Sequence, residues 1–364
     1  MNPPASNANL RGIVFAKYGD RAASTRQRFV QATAYLAAEN IALDIVPLFD
    51  NAYLATLFDT GVRGKAAIIA AYVKRFFDLW RIRHYDFILV QYELFPYLPG
   101  FFEALLRLTR KPVFYDIDDA IFHQYDQHRK PLIRWLLRKK LVPLLRRVNL
   151  AFCGNAYLQD YVARYCKRTE IIPTVVDVEM FAPPVEKTSA TPPVLGWIGS
   201  PSTWDYCLPL LEVFASLAQE NILSMLVVGA QHKAVSRAGF TFRDWSEARE
   251  IRDIQQMDIG IMPIPDAPWA RGKCGYKLIQ YMACGLPVIA SPVGVNTAIV
   301  EHGVNGFLAT TEEEWRAAIL QLATDAALRK RMGEAGRKTI EQHYSIQIHG
   351  PRIAQLIRET MQRR

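Results

Sequence analysis

Cysteine is scarce in this sequence: five residues among 364, at Cys153, Cys166, Cys207, Cys274 and Cys284. Their number is odd, and none shows CxxC spacing or a Cys/His ligand pattern. That excludes a disulfide framework and a zinc site of ordinary spacing, and leaves reduced thiols in a cytoplasmic setting. Long apolar runs are missing as well. No uninterrupted stretch reaches the roughly 18 residues that a membrane span needs. The opening stretch Met1–Leu10 is polar and proline-bearing, without an apolar h-region, so no secretory signal is expected. Acid is short relative to base: 35 Asp and Glu against 44 Lys and Arg, a formal net charge of +9 and a pI near 9.3. Such an excess favours an anionic partner, which can be a nucleotide phosphate, a phospholipid surface or nucleic acid. No recognised nucleic-acid-binding module is present, which makes the last the poorest of the three.

What is present is an ordinary globular balance, 50% hydrophobic and 22% charged. The chain is longer than one core usually fills, so two domains are expected. Gly12–Ala16 is a short apolar run, followed by a loop from Lys17 to Ala23 and a helical pattern over about Ser24–Glu39. Further strands are expected at Phe87–Gln91, Val113–Tyr115, Leu150–Cys153 and Ile171–Thr174. The stretch Phe181–Pro193 holds four prolines and no hydrophobic period, and reads as a linker. Strands then resume at Val194–Ile198, Met225–Val228, Ile259–Met262 and Pro287–Ala290, separated by helical patterns. Strands alternating with helices predict two consecutive parallel α/β domains, with ligands beyond the C-terminal ends of the strands.

The segment Arg271–Gly294 packs several signals together. Gly275 permits a tight turn into a helix over roughly Tyr276–Ala283, Gly285 ends that helix, and Leu286–Ala290 is a buried strand. A glycine loop leading into a helix N-terminus is a ready anion site, because free N–H groups and the helix dipole point outward. Lys277, one turn in, adds a full positive charge suited to a diphosphate. Gln280 follows three residues later on the same face, where its amide can bond a ribose hydroxyl pair. The plainer alternative is an αβ unit with a basic first turn.

The run Lys277–Gly294, followed by Ile299–Leu308, resembles the donor-binding signature of family 4 glycosyltransferases. Gly196–Thr203 looks like the first strand and loop of their nucleotide domain. Ile172–Asp177 looks like the end of their N-terminal domain, and Gly154–Leu158 like the opening of its last helix. The resemblance covers most of the chain and is weakest over residues 40–110. It implies a GT-B fold, two Rossmann-like parallel-sheet domains facing a central cleft. The N-terminal acceptor-binding domain would span 1–180, the linker 181–193 and the nucleotide-sugar domain 194–343, with 344–364 a C-terminal helix returning to the first domain. There is one departure. The family usually carries two glutamates separated by seven residues here, and Gly272 and Gln280 stand in their places. The missing first carboxylate would have contacted the donor sugar; Asp266 and Glu250 are carboxylates on nearby loops.

Other constellations fit around this one. Asp116, Asp118 and Asp119 end an apolar strand. They match, in competing readings, a metal-binding DxD, a phosphatase nucleophile loop, or cleft acids that polarise an acceptor hydroxyl; helix capping is the plain alternative. The phosphatase motif normally lies near the N-terminus and continues with Thr or Gly, unlike Ala120, and the DxD reading leaves the second domain unexplained. In the Lys17–Arg26 loop, Gly19 lets the backbone approach a ligand and Ser24 can cap the next helix. Gly199, Ser200, Ser202 and Thr203 form the matching loop of the second domain, where the hydroxyls can donate to phosphate. That loop has no base, so Lys273, Lys277 and Arg271 must carry the diphosphate charge, with Gly275 and Tyr276 opening the helix. His123 and His232 are isolated and read as surface or satisfied residues. Arg129–Arg147 has eight basic residues and no acid, with Leu132, Leu136, Leu137, Leu141 and Leu144 on one helical face and Pro143 as a kink. It reads as a basic amphipathic helix suited to an anionic membrane surface, or as a core-facing helix with a solvated face. Arg75–His84 adds aromatic and basic residues in the same half.

The expected activity is transfer of a sugar from a UDP- or GDP-linked donor to a hydroxyl of a glycan or lipid-linked acceptor, as in bacterial-type surface polysaccharide or glycolipid synthesis. The resemblance implies retention of configuration. Asp118, Asp119 and Lys277 are the catalytic candidates, and no metal or other cofactor is required. The expected location is cytoplasmic, peripheral on the inner membrane face. A sugar-nucleotide epimerase on the same fold and a catalytically weak scaffold protein of a polysaccharide assembly complex are the rival readings.

Overall fold

The structure, a computed structural model, describes residues 9–60, 64–184, 191–235 and 237–363. The chain forms two compact units: Met1–Thr174 with Ile346–Arg364, and Val175–Ser345.

The first unit is built on strands β1 (Leu10–Tyr18), β2 (Ile41–Phe49), β3 (Phe87–Gln91), β4 (Val113–Ile117), β5 (Leu150–Cys153) and β6 (Thr169–Ile171). Its sheet runs β2-β1-β3-β4-β5-β6, with every pair parallel. The residues of β3, β4 and β5 are all buried, as expected where helices cover both faces. β2 has no counterpart among the expected strands because it carries Asp44 and Pro47, which an edge strand tolerates. The expected helix from Ser24 is broken into Ala23–Arg28 and Thr33–Ala38, with a 3-10 turn at Val30–Ala32. Ser24 is not its cap. The N-cap is Ala22, without a side-chain bond, and Thr25 instead donates to the Tyr18 carbonyl at 2.8 Å.

The basic stretch Arg129–Arg147 is two short helices, Pro131–Leu137 and Val142–Leu145, rather than one kinked helix. Its leucines divide. Leu132 and Leu136 are exposed, while Leu137, Leu141 and Leu144 are buried. Lys140 turns into the core, where its ammonium lies 2.7 Å from Glu103 and 3.2 Å from Glu93. The long C-terminal helix Ile346–Gln362 folds with this unit. Gly350 packs against Tyr35, Arg352 pairs with Glu170, and Arg168 donates to Thr360.

The second unit holds β7 (Val194–Ile198), β8 (Ser224–Val228), β9 (Phe240–Arg243), β10 (Ile259–Met262), β11 (Val288–Ala290) and β12 (Gly306–Leu308). The order β12-β11-β10-β7-β8-β9 is all parallel and is the doubly wound arrangement of dinucleotide-binding folds. Its topological switch point lies between β7 and β10, and that of the first unit between β1 and β3. The interval read as a linker begins inside this unit. Phe181 is in its core, and Arg337 donates to the carbonyls of Val178, Phe181 and Ala283 at 2.5–2.7 Å. Residues 185–190 of that interval lie outside the described residues, as do 1–8 of the opening stretch. None of the five cysteines forms a disulfide, and all are buried.

Candidate functional site

In the second unit, the loop after β7 and the helix Tyr276–Ala283 meet at the switch point. Gly275 is the helix N-cap at φ +66°, a conformation that disfavours any side chain, and a Cβ there would lie 2.4 Å from Ile299. The helix ends in a Schellman motif. Gly285 at φ +76° donates to Met282, and Leu286 donates to Tyr281. Between these glycines, Leu278, Ile279, Tyr281 and Met282 are fully buried. The Tyr281 hydroxyl accepts the Ile198 amide at 2.9 Å, which ties the helix to the end of β7.

That tie sets Lys277 over the loop. Its ammonium lies 3.5 Å from the Thr203 hydroxyl and 5.4 Å from the centre of the Trp197 ring. It also stands 2.8 Å from where a Cβ on Gly199 would be. Ser200 is hydrogen-bonded to Ser202 and Thr203 at 3.2 and 3.3 Å, so three hydroxyls share the turn beside the ammonium. Two segments 74 residues apart thus put a cation, hydroxyls and a side-chain-free backbone at one point. Such a cluster is suited to a phosphate group. Lys273 lies over the Trp269 ring, 5.4 Å from its centre. Gln280 is buried, and its Nε2 has no hydrogen-bond partner. Tyr276 packs against the core beneath the helix. Asp266 is bound by Arg271 at 2.6 and 2.9 Å, which holds its carboxyl below the ordinary value, and Glu250 accepts from the Trp245 indole.

In the first unit, the acids after β4 take different parts. Asp116 is buried and bound by Nε and Nη2 of one edge of the Arg28 guanidinium at 2.6–3.1 Å, while Arg28 Nη1 donates to the Ile172 carbonyl. It is a structural ion pair joining the helix after β1 to the sheet. Asp118 and Asp119 are partly exposed at the strand end. Asp118 accepts from the Tyr92 hydroxyl. Burial, and then the charge of Asp119 beside it, push the Asp118 carboxyl up to about 7. An acid poised there can exchange a proton near neutrality. Gly19 is explained locally: a Cβ there would lie 2.3 Å from Asn51, whose side chain also bonds Asp20 and Arg21. His123 is satisfied at both nitrogens, by Asp126 and Tyr157 at 2.8 Å each; the His232 side chain lies outside the described residues. Among the described residues, no group of three or more His, Cys, Asp or Glu is arranged to hold a metal ion.

Residues 192–325 match the family described as Glycosyl transferases group 1. That span lies wholly within the second unit. A segment of 72 residues is 32% identical to the N-acetyl-alpha-D-glucosaminyl L-malate synthase of Bacillus anthracis, a match that spans 19% of each chain. The chain has the GT-B fold. Sucrose-phosphate synthase from Thermosynechococcus elongatus superposes with a TM-score of 0.70 over 98% of this chain and 100% of that one, at 15% identity. Anabaena HepE, solved in complex with UDP and glucose, gives 0.71 over 96% and 100%, at 17% identity.

Arg28, Tyr92, Trp197 and the buried Lys140–Glu93–Glu103 group were not singled out from the sequence. Trp197 sits inside the Gly196–Thr203 motif, but only the packing of Lys277 shows its face in use. Tyr92 follows the last residue of β3, and nothing in the local pattern marks it.

Proposed function

We propose that the chain is a glycosyltransferase that moves a sugar from a nucleoside diphosphate donor to an acceptor hydroxyl, with the donor held by the second unit and the acceptor by the first. The carrying observation is the placement of Lys277 over Gly199 and Thr203 at the switch point of a dinucleotide-type sheet. In the reaction, the bond between the anomeric carbon and the donor's phosphate oxygen breaks, and the diphosphate keeps the electron pair. The acceptor oxygen bonds to that carbon, and its proton passes to a carboxylate, for which Asp118 is the choice and Asp119 its neighbour. The Lys277 ammonium and the positive dipole end of the helix beginning at Tyr276 neutralise the departing diphosphate. With that charge supplied, the reading calls for no metal or other cofactor. HepE has been solved with UDP-glucose, which favours a uridine donor over a guanosine one. Retention of configuration, with Gly272 and Gln280 in place of the two usual glutamates, belongs to the same reading.

A lipid-linked acceptor at an anionic membrane is supported by the surface of the first unit. Phe77, Trp80, Phe101, Leu132 and Trp135 are each 64–71% exposed. Their segments converge. Phe76 and Phe102 both pack on Phe95, whose carbonyl accepts from Lys140, and Gly100 lies against the Lys140 backbone. The acids within 65–84, 97–110 and 128–140 are Asp78 and Glu103, and both are buried. Among the described residues no helix is long and apolar enough to cross a membrane. The expected mode is therefore peripheral docking of apolar and basic side chains.

The test is a thermal-shift panel of UDP- and GDP-sugars, followed by product analysis with and without acceptor. Stabilisation by a uridine donor and acceptor-dependent transfer are expected. Altered sugar without acceptor would mean an epimerase, and no turnover with any acceptor would leave a scaffold. Co-sedimentation with anionic liposomes at low salt checks the membrane; no affinity there removes that part.

A further inference from the structure

Tyr92 stands immediately after β3 in a left-handed conformation, φ +62°, and it is neither glycine nor asparagine. Glu93 donates its amide to the Gln91 carbonyl at 2.7 Å, which makes Tyr92 the centre of a three-residue turn of the rare, strained kind. A tyrosine held there is strained and persists only where the surroundings over-determine it.

The surroundings do so. The next residue, Glu93, is fully buried, 3.2 Å from the Lys140 ammonium, and accepts the Tyr125 hydroxyl at 2.7 Å. The amides of Leu94 and Phe95 both donate to the Glu103 carboxylate, at 2.9 and 3.2 Å. Lys140 closes the ring on Glu103 and on the Phe95 carbonyl, at 2.7 and 2.6 Å. On the near side the Tyr92 amide donates to the Asp116 carbonyl at 3.0 Å. The chain is pinned before and after Tyr92, and the side chain that the turn projects donates its hydroxyl to Asp118 Oδ1.

The geometry points to Tyr92 as the positioning residue of Asp118: a strained turn, clamped by a buried Lys140–Glu93–Glu103 group, delivers a phenol to Oδ1 of the acid that takes the acceptor's proton. The inference rests on the reading of Asp118 as the acceptor-side base. Tyr92 touches no reacting atom. Its effect is to fix the carboxylate's rotamer and, because the hydrogen bond is to the charged form, to favour ionisation. The groups facing Asp118 are Asp119 and Asp116, which oppose ionisation, and Arg28 and Tyr92, which assist it. Against burial, Tyr92 is the neutral donor among them.

The test uses the full chain with aspartate labelled at the side-chain carboxyl carbon. The Asp118 titration is followed by NMR, and the pH dependence of kcat/KM is measured in parallel. Tyr92→Phe keeps the ring and removes the hydroxyl, and Tyr92→Gly removes the strain together with the hydroxyl. In Tyr92→Phe the Asp118 midpoint is expected to rise by about one pH unit, whereas in Tyr92→Gly the water admitted in place of the ring relieves the burial and offsets that rise. The acid limb of kcat/KM should rise with it, at unchanged donor KM. A midpoint that stays put in Tyr92→Phe overturns the contact. A midpoint that rises while the acid limb does not move overturns the base role of Asp118, and with it the part of Tyr92 in the reaction.

Discussion

Gly199→Ala separates the donor site from the fold more cleanly than any other single change. The backbone of Gly199 is not in the left-handed region, so alanine meets no conformational penalty there. The added methyl would lie 2.5 Å from Lys277 Cε, 2.8 Å from its Nζ and 3.0 Å from the Thr203 hydroxyl. The first two atoms are the far end of a flexible chain and can swing away, so the stability cost should stay below about 1 kcal/mol. What is lost is the ammonium's place over the loop. A charge-assisted bond to phosphate contributes about 1.5–3 kcal/mol, so the Kd for a nucleoside diphosphate should rise about 10- to 150-fold. The assay is isothermal titration with UDP and GDP, beside a thermal melt of the unliganded protein. An unchanged melt with weakened binding is expected. Wild-type affinity in Gly199→Ala would refute the assignment of this loop and lysine to the diphosphate.

Three further outcomes follow from the same contacts. Gly275→Ala puts a Cβ into the left-handed cap and 2.4 Å from Ile299; it should destabilise the second unit by about 2–4 kcal/mol in a denaturant melt. Arg28→Met leaves Asp116 buried and unpaired, at a cost of about 3–5 kcal/mol, and Arg28→Met/Asp116→Leu should recover most of it. Asp118, held up to about 7 from its ordinary 3.8, makes the native state favour the protonated acid. Its contribution to stability is full below about pH 4 and is lost as pH rises through 7. Asp118→Asn removes that slope and should be more stable than wild type at pH 8. The gap should be roughly 2 kcal/mol, half of what about 1.4 kcal/mol per pH unit allows, because Asp118 is partly open to solvent. Equal melts of the two proteins at pH 8 would contradict it.

The second unit was legible where local chemistry and tertiary demand agree. The helix Tyr276–Ala283 is marked at both ends by glycines whose left-handed conformations serve its cap and its termination. β7 and β10 occupy their expected spans because buried parallel strands are continuous apolar runs. β9 and β12 escaped notice, being edge strands of only four and three residues. The basic stretch Arg129–Arg147 misled for a physical reason. Its period is helical, but Lys140 is drawn inward by Glu93 and Glu103, partners that lie 47 and 37 residues away. No window around Lys140 could show them. The same holds for Arg28 with Asp116, and for Tyr92 with Asp118, where the pairing depends on the order of strands β1, β3 and β4.

The central claim is that Lys277 neutralises the leaving diphosphate. It is tested most directly by the turnover of Lys277→Ala with its best nucleotide-sugar donor and acceptor, on protein whose melt matches wild type. A fall in kcat of at least about a hundredfold is predicted. Near wild-type turnover in the folded variant would contradict the account.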